Sequence, residues 1–233
     1  LAVLTGSQAK KYIAQGFNFL VFASSFMPTP LASIQAHLAD VDPVMSKIIA
    51  NHTIKYEPTN YQILHELMSG IIGQQLSGKA ALAIEKKYLA LYDGFFPTTA
   101  QVLNTPITTL RTAGLSNAKA QYLQNIAAYW EENHLHKTNF EALTDHEILQ
   151  LLTPIKGVGT WTVQMLLMFT LFREDVLPVL DLGIRKAMAL HYQLNLNQPQ
   201  RSLAQAMETI AEPWKPYRSI ASRYLWRSLD DKK

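Results

Sequence analysis

Two short stretches carry residues whose types and spacing could do chemistry. The first is Leu177-Pro178-Val179-Leu180-Asp181-Leu182-Gly183-Ile184-Arg185, in which an acid stands where a helix begins. A carboxylate there can accept the free N–H groups of the first helical turn, which is the usual work of Asp at that place. It can also face a cleft and stabilise positive charge that develops during a reaction. The second stretch is Leu151-Leu152-Thr153-Pro154-Ile155-Lys156-Gly157-Val158-Gly159-Thr160-Trp161-Thr162. A tight Gly-x-Gly turn at a helix start presents successive backbone N–H groups, and glycine lets an anion come close without a Cβ in the way. Taken alone, the same turn serves as readily in an ordinary helical hairpin.

Other chemistries are excluded by composition. The chain has no cysteine, so it offers no thiolate to zinc, to an iron–sulfur cluster or to a substrate, and no disulfide framework. The seven histidines are scattered. The one close pair, His134 and His136, lies in a polar stretch without a matching set of carboxylates and reads as surface.

These stretches must be held by a scaffold of 233 residues, 48% apolar and 17% charged. That suffices for one good core, or for two small lobes sharing a cleft. The net charge of +3 permits nucleic-acid binding without requiring it. Basic residues gather near the C-terminus as Arg201, Lys215, Arg218, Arg223, Arg227, Lys232 and Lys233, which on charge alone describes a solvated helix face. The apolar segment from Tyr12 to Phe26 is interrupted by Gln15 and Asn18 and is too short for a membrane span. Lys10 and Lys11 precede it as in a signal peptide, but Phe26-Met27-Pro28 is no small-residue cleavage site. Residues 1–30 are therefore expected to be a helical extension or a non-native upstream piece, and no membrane partner is expected.

Helical periodicity runs nearly unbroken from residue 31, and strand signals are almost absent. The spacing predicts helices over 31–39, 43–51, 61–72, 77–91, 98–103, 106–112, 116–132, 144–152, 160–172, 182–193, 202–211 and from 216 onward. Thr144-Asp145-His146-Glu147 is a capping box, Ser77 and Ser116 are N-caps, and Gly114 suits a left-handed position after a short helix. The class is all-α.

The order of the elements is more telling than any one of them. A glycine hairpin, an apolar helix, a Pro-containing loop and an Asp opening the next helix together resemble the helix-hairpin-helix, Gly/Pro-Asp DNA glycosylases. Upstream, Ile71-Ile72-Gly73-Gln74-Gln75-Leu76-Ser77 is similar to that family's helix-breaking segment that enters DNA. Gly114-Leu115-Ser116-Asn117-Ala118-Lys119 resembles its Gly-Leu-Ser-x-x-Lys element, and Trp214-Lys215-Pro216-Tyr217-Arg218-Ser219 with Trp226 its C-terminal helix. The resemblance spans roughly residues 36–229, in the family's order.

The resemblance implies two helical lobes around a DNA-binding cleft. The lobe with the hairpin is expected at about 77–190, and the other is expected from 31–76 joined by 191–233. It implies hydrolysis of the N-glycosidic bond of an alkylated purine, 3-methyladenine or 7-methylguanine, in duplex DNA. Asp181 would sit under the sugar as the catalytic carboxylate. Trp161, Trp226, Met165 and Leu182 would line the base pocket. Gln75, with Gln74 and Leu76 beside it, would fill the gap left by the flipped nucleotide. Gly157, Gly159 and the Thr162 hydroxyl would hold a phosphate, with Lys156 and the C-terminal basic residues adding salt-sensitive affinity. Carbonyls of Thr153, Ile155 and Val158 would bind a Na+ or K+ ion bridging to that phosphate. No other cofactor is implied.

The branch can be argued from single positions. Relatives with an iron–sulfur cluster need cysteines, and strand-cutting members carry a Schiff-base lysine where this chain has Trp161. The chain therefore resembles the short, water-using alkyladenine glycosylases without an extra α/β domain. It departs from the bacterial inducible 3-methyladenine enzyme at Met165 and Leu182, which are tyrosines there, and at Gln75, which is apolar there. Such an enzyme is expected to act as a monomer, in the cytoplasm or nucleoid of a bacterium or the nucleus of a eukaryote. Two other classes remain open on sequence: a non-catalytic helix-hairpin-helix DNA-binding module, and an all-α interaction domain whose hairpin is merely a turn.

Overall fold

The computed structural model describes residues 29–57 and 62–230. The expected extension over 1–30 falls almost wholly outside these residues. Among them there are twelve α-helices and no strand. In chain order they are α1 (Leu31–Val41), α2 (Pro43–Asn51), α3 (Ile63–Gly73), α4 (Gly78–Ala90), α5 (Thr99–Asn104), α6 (Ile107–Thr112), α7 (Asn117–Glu132), α8 (Asp145–Leu152), α9 (Thr160–Phe169), α10 (Leu182–Tyr192), α11 (Gln200–Ala211) and α12 (Arg218–Arg227). Two 3₁₀ turns, Leu135–Lys137 and Glu212–Trp214, follow α7 and α11.

Local chemistry sets most of the boundaries. Thr144 and Glu147 close a reciprocal capping box on α8, and Ser77 and Ser116 accept from Ala80 N–H and Lys119 N–H. Asp42 caps α2, while its second oxygen accepts from Tyr192 Oη at 2.7 Å and Trp214 Nε1 at 2.8 Å. One buried carboxylate thus ties α2 to the C-terminal helices and has all its partners inside the protein.

Several boundaries differ from the periodicity by two or three residues, and two of them have a visible cause. Helix α9 stops at Phe169 rather than near residue 172, because Phe172 takes a left-handed φ of 56°. Leu171 N–H and Arg173 N–H close back on the Leu166 and Leu167 carbonyls, while Phe172 packs on Tyr56. Helix α12 begins at Arg218, since the Tyr217 carbonyl is the first to receive helical N–H groups.

Two cores fill the molecule. One gathers Leu64 to Val176, and the other gathers Ile34 to Ile48 with Leu177 to Leu225. The chain therefore starts in one lobe, builds the hairpin lobe, and returns between Val176 and Leu177. The division differs from the expected one at two helices. Helix α3 buries Leu64, Leu67, Met68, Ile71 and Ile72 in the hairpin lobe, and α10 buries Ile184, Ala187 and Met188 in the other. Periodicity shows that each helix has an apolar face, but not which core receives it. Trp226 packs against both cores and marks the junction. There Arg218 grips Asp175 at 2.6 and 2.9 Å, and the buried Ser219 hydroxyl donates to Arg173 O and accepts from Val176 N–H.

Candidate active site

Asp181 lies five residues past the crossing between lobes, at the N-cap of α10. Its Oδ1 accepts from Ile184 N–H at 2.8 Å, so it is a helix cap. It is more than a cap. Trp226 Nε1 donates to the same oxygen at 2.8 Å, and Trp161 Nε1 donates to Oδ2 at 2.8 Å. One indole comes from the hairpin lobe and one from the other, and the half-buried carboxylate is clamped between them. Three N–H groups on one carboxylate fix its position. The Pro loop before it is itself pinned, since Arg185 Nε donates to Val179 O at 2.7 Å.

Gly183 makes this clamp possible. A Cβ at that position would stand 2.7 Å from Trp226 Cδ1, 2.9 Å from its Nε1 and 3.0 Å from Asp181 Oδ1. The indole reaches the carboxylate because residue 183 has no side chain.

Beside Trp161 opens a cleft of about 280 Å³ between α3 and α9. Trp161 and Met165 line it, as the sequence suggests. Trp226 and Leu182 do not. Trp226 stands behind Phe169, ring to ring at 5.8 Å, and Leu182 is 62% exposed beside the carboxylate. The cleft is also lined by Phe169 on α9 and by Glu66, Ser69 and Gly70 on α3. Burial, then the nearby charge of Glu85, pushes the Glu66 carboxyl up to about 7. No sequence signal marked Glu66 or Phe169, since each sits on an amphipathic helix without a motif. Gly183 was visible in the Asp181 stretch, but only the approach of Trp226 shows its use.

The helix-hairpin-helix turn lies at the N-terminus of α9. Gly159 occupies the cap position with no side-chain cap, so the first N–H groups of α9 are open. A Cβ on exposed Gly159 would meet nothing within 4 Å, leaving room for an anion. Gly157 is different. Its φ is +107°, and a Cβ there would fall 2.3 Å from Tyr122 Cγ. It shapes the turn against α7, with Lys156 exposed at its tip and Asn125 donating to Lys156 O at 3.2 Å. The Thr162 hydroxyl is buried and accepts from Gln74 Nε2 at 3.2 Å, so it points into the protein and not toward a phosphate.

That same bond reassigns Gln74. Its amide also donates to Gly157 O at 3.2 Å, making it a strut between α3 and the hairpin and not part of a wedge. Gln75 stands at the turn's apex with a left-handed φ of 58°, exposed, and Leu76 beside it is 39% exposed. Lys119 holds this turn from below, its Nζ donating to Ile72 O at 2.8 Å and Gln74 O at 2.7 Å. The lysine of the Gly-Leu-Ser-x-x-Lys element thus caps the C-terminus of α3.

The C-terminal basic residues are mostly engaged within the protein. Lys215 pairs with Glu212, Arg218 with Asp175 and Arg227 with Asp230. Arg223 lies against the rings of Phe169, Phe172 and Tyr56 and donates to Met168 O at 2.7 Å. Of these pairs only Arg218–Asp175 is largely shielded, and Lys232 and Lys233 fall outside the described residues.

A cleft beside a clamped carboxylate, an open hairpin and an exposed turn define a helix-hairpin-helix base-excision architecture. The sequence model of the HhH-GPD superfamily of base excision DNA repair proteins matches residues 68–216, and the chain belongs to that family. It is 31% identical over 205 residues to DNA-3-methyladenine glycosylase 1 of Schizosaccharomyces pombe, covering 86% of this chain and 88% of the relative. The solved structure of the S. pombe 3-methyladenine DNA glycosylase in complex with abasic DNA superposes with a TM-score of 0.73 at 30% identity, over 85% of this chain and 97% of that one. A DNA-3-methyladenine glycosidase structure from Bacillus halodurans gives 0.70 at 30% identity, over 85% and 91%.

Proposed function

We propose that this protein is a monofunctional DNA glycosylase that hydrolyses the N-glycosidic bond of alkylated purines in duplex DNA, acting as a monomer and leaving an abasic site. The observation that carries the reading is the Asp181 carboxylate, held by Trp226, Ile184 N–H and Trp161, the last of which also lines the cleft. The relatives named for 3-methyladenine excision give the substrate class.

The reaction needs three things of the chain. The nucleotide must leave the stack, and exposed Gln75 with Leu76 is placed to take its space. The backbone must be held while this happens. The open N–H groups of α9 beyond Gly159 would bind a phosphate, with Lys156 adding charge that salt screens. As the base departs, positive charge grows on the sugar, and Asp181 supplies a preorganised negative charge against it and orients water. No lysine stands where a Schiff base would form, so the strand is left uncut.

The hairpin residues fit a monovalent cation. Among the described residues the Thr153 and Val158 carbonyls receive no hydrogen bond, and the Ile155 carbonyl receives one from Val158 N–H at 2.9 Å. Backbone carbonyls without a carboxylate among them can replace the hydration shell of a monovalent cation such as K+. A cation held there would supply positive charge toward the phosphate that the α9 N-terminus faces.

The test is single-turnover release of 3-methyladenine and 7-methylguanine from methylated duplex DNA by the wild type and Asp181→Asn. Asparagine keeps the helix cap and loses the charge. The variant is expected to bind DNA normally and to lose at least about 100-fold in rate. A binding module without catalysis would release no base in either form.

A further inference from the structure

Glu66 is the one ionisable side chain among those lining the cleft beside Trp161. It enters from α3, opposite the aromatic wall that Trp161 and Phe169 form on α9. Among the described residues its carboxyl receives no hydrogen bond, whereas Glu85 next to it is engaged by the Ser69 hydroxyl. Partial burial and the charge of Glu85 both weigh against a lone carboxylate in this cleft, and a cation beside it would offset them.

The charged groups around Glu66 are few. Helix α4 contributes Glu85, whose charge opposes ionisation of Glu66. Helix α9 contributes no charged residue between Thr160 and Phe169. On α7, Lys119 spends its ammonium on Ile72 O and Gln74 O at the far end of α3. His65, next in sequence, stacks on Phe96 with ring centres 4.3 Å apart. Among the described residues no cation pairs with Glu66, so a cation that enters the cleft would supply the complementary charge in place of a proton.

We infer that Glu66 is a specificity-determining residue of the base cleft: its carboxylate is the charge complement of a cationic alkylated purine, and it selects such bases over neutral ones as the nucleotide is extruded. This rests on the glycosylase reading above. The aromatic faces of Trp161 and Phe169 add to the preference, since an aromatic ring also attracts a cation. The selection acts at binding. Once the bond breaks, the positive charge passes to the sugar, where Asp181 and not Glu66 must stabilise it. A proton on Glu66 competes with the cationic base, and burial with Glu85 nearby brings that competition into the neutral range.

The test uses the full chain in single-turnover excision, titrating enzyme over duplexes carrying 7-methylguanine or hypoxanthine at one position. Both the half-saturating enzyme concentration and the maximal rate are measured from pH 6 to 8. For the wild type, half-saturation on 7-methylguanine should tighten as pH rises. Glu66→Gln should abolish that trend and reduce the preference for the cationic lesion by about tenfold, mainly through half-saturation. Glu85→Gln, which keeps Glu66, should move the midpoint of the trend to lower pH. That shift separates an electrostatic role from a structural one, and thermal unfolding of each variant confirms that it is folded. An unchanged preference in Glu66→Gln, or an equal loss on both lesions, overturns the assignment of Glu66 and leaves the glycosylase standing. No excision of either lesion by the wild type overturns the glycosylase reading and Glu66 with it.

Discussion

Substituting Gly183 by alanine tests whether the indole clamp on Asp181 matters to the reaction. The added Cβ would sit 2.7 Å from Trp226 Cδ1 and 2.9 Å from Nε1, well inside contact distance. Phe169 stacks on one face of Trp226 with ring centres 5.8 Å apart, so the indole cannot tilt away toward that side. An indole displaced by the new Cβ loses the geometry of its 2.8 Å bond to Asp181. A hydrogen bond to a charged acceptor contributes about 1.5–3 kcal/mol. At about 1.4 kcal/mol per factor of ten, loss of that positioning lowers the single-turnover rate by roughly 10- to 150-fold. Overpacking itself costs about 1–3 kcal/mol of stability, a fall of several degrees in Tm for a chain of this size. Trp226→Phe removes the donor without adding a clash. In the Trp226→Phe background, Gly183→Ala should cost less than about threefold more, because both act through one bond. A wild-type rate in Gly183→Ala, or full additivity in the double variant, would refute the reasoning.

The two hairpin glycines should part company. Gly159→Ala is expected to leave Tm nearly unchanged and to weaken binding to damaged and undamaged duplexes alike, because phosphate contacts carry no base identity. Gly157→Ala should instead destabilise the fold, as its φ is +107° and Tyr122 lies 2.3 Å from the new Cβ, and calorimetry distinguishes the two. Borohydride should trap no covalent enzyme–DNA adduct, and recovery of one on a denaturing gel would disprove the hydrolytic mechanism. Burial pulls the pKa of His65 down from 6.5 to about 4. The folded state therefore holds fewer protons than the unfolded one between those values, so His65 contributes full stability above pH 6.5 and loses it as pH falls toward 4. His65→Phe, which keeps the stack on Phe96, should gain in Tm relative to wild type as pH falls through that window, and a constant difference across it would show the shift is absent.

What the sequence determined by itself is the inventory of elements and the candidate carboxylate, Asp181, among them. Caps such as Ser77, Ser116 and Thr144 act within one turn of helix, so their meaning is local and can be read without the fold. Asp181 could be singled out because its distance from the Gly-x-Gly turn is a property of the chain. Tertiary structure decided who touches whom. Both indoles were visible as Trp161 and Trp226, yet their ring N–H groups turn onto Asp181 because helices from opposite lobes meet there. Gln74 and Gln75 are neighbours of one residue type, but a left-handed φ at Gln75 sends one side chain into the protein and leaves the other exposed. The C-terminal arginines looked available for DNA until Asp175, Asp230 and three aromatic rings were placed beside them. Glu66 had no motif at all. Its burial in the cleft and its nearness to Glu85 arise from the packing of α3 between α4 and α9, contacts set by which cores the apolar faces join. Hydrophobic burial is non-directional, so a pattern of apolar residues specifies that a face is covered without specifying by what.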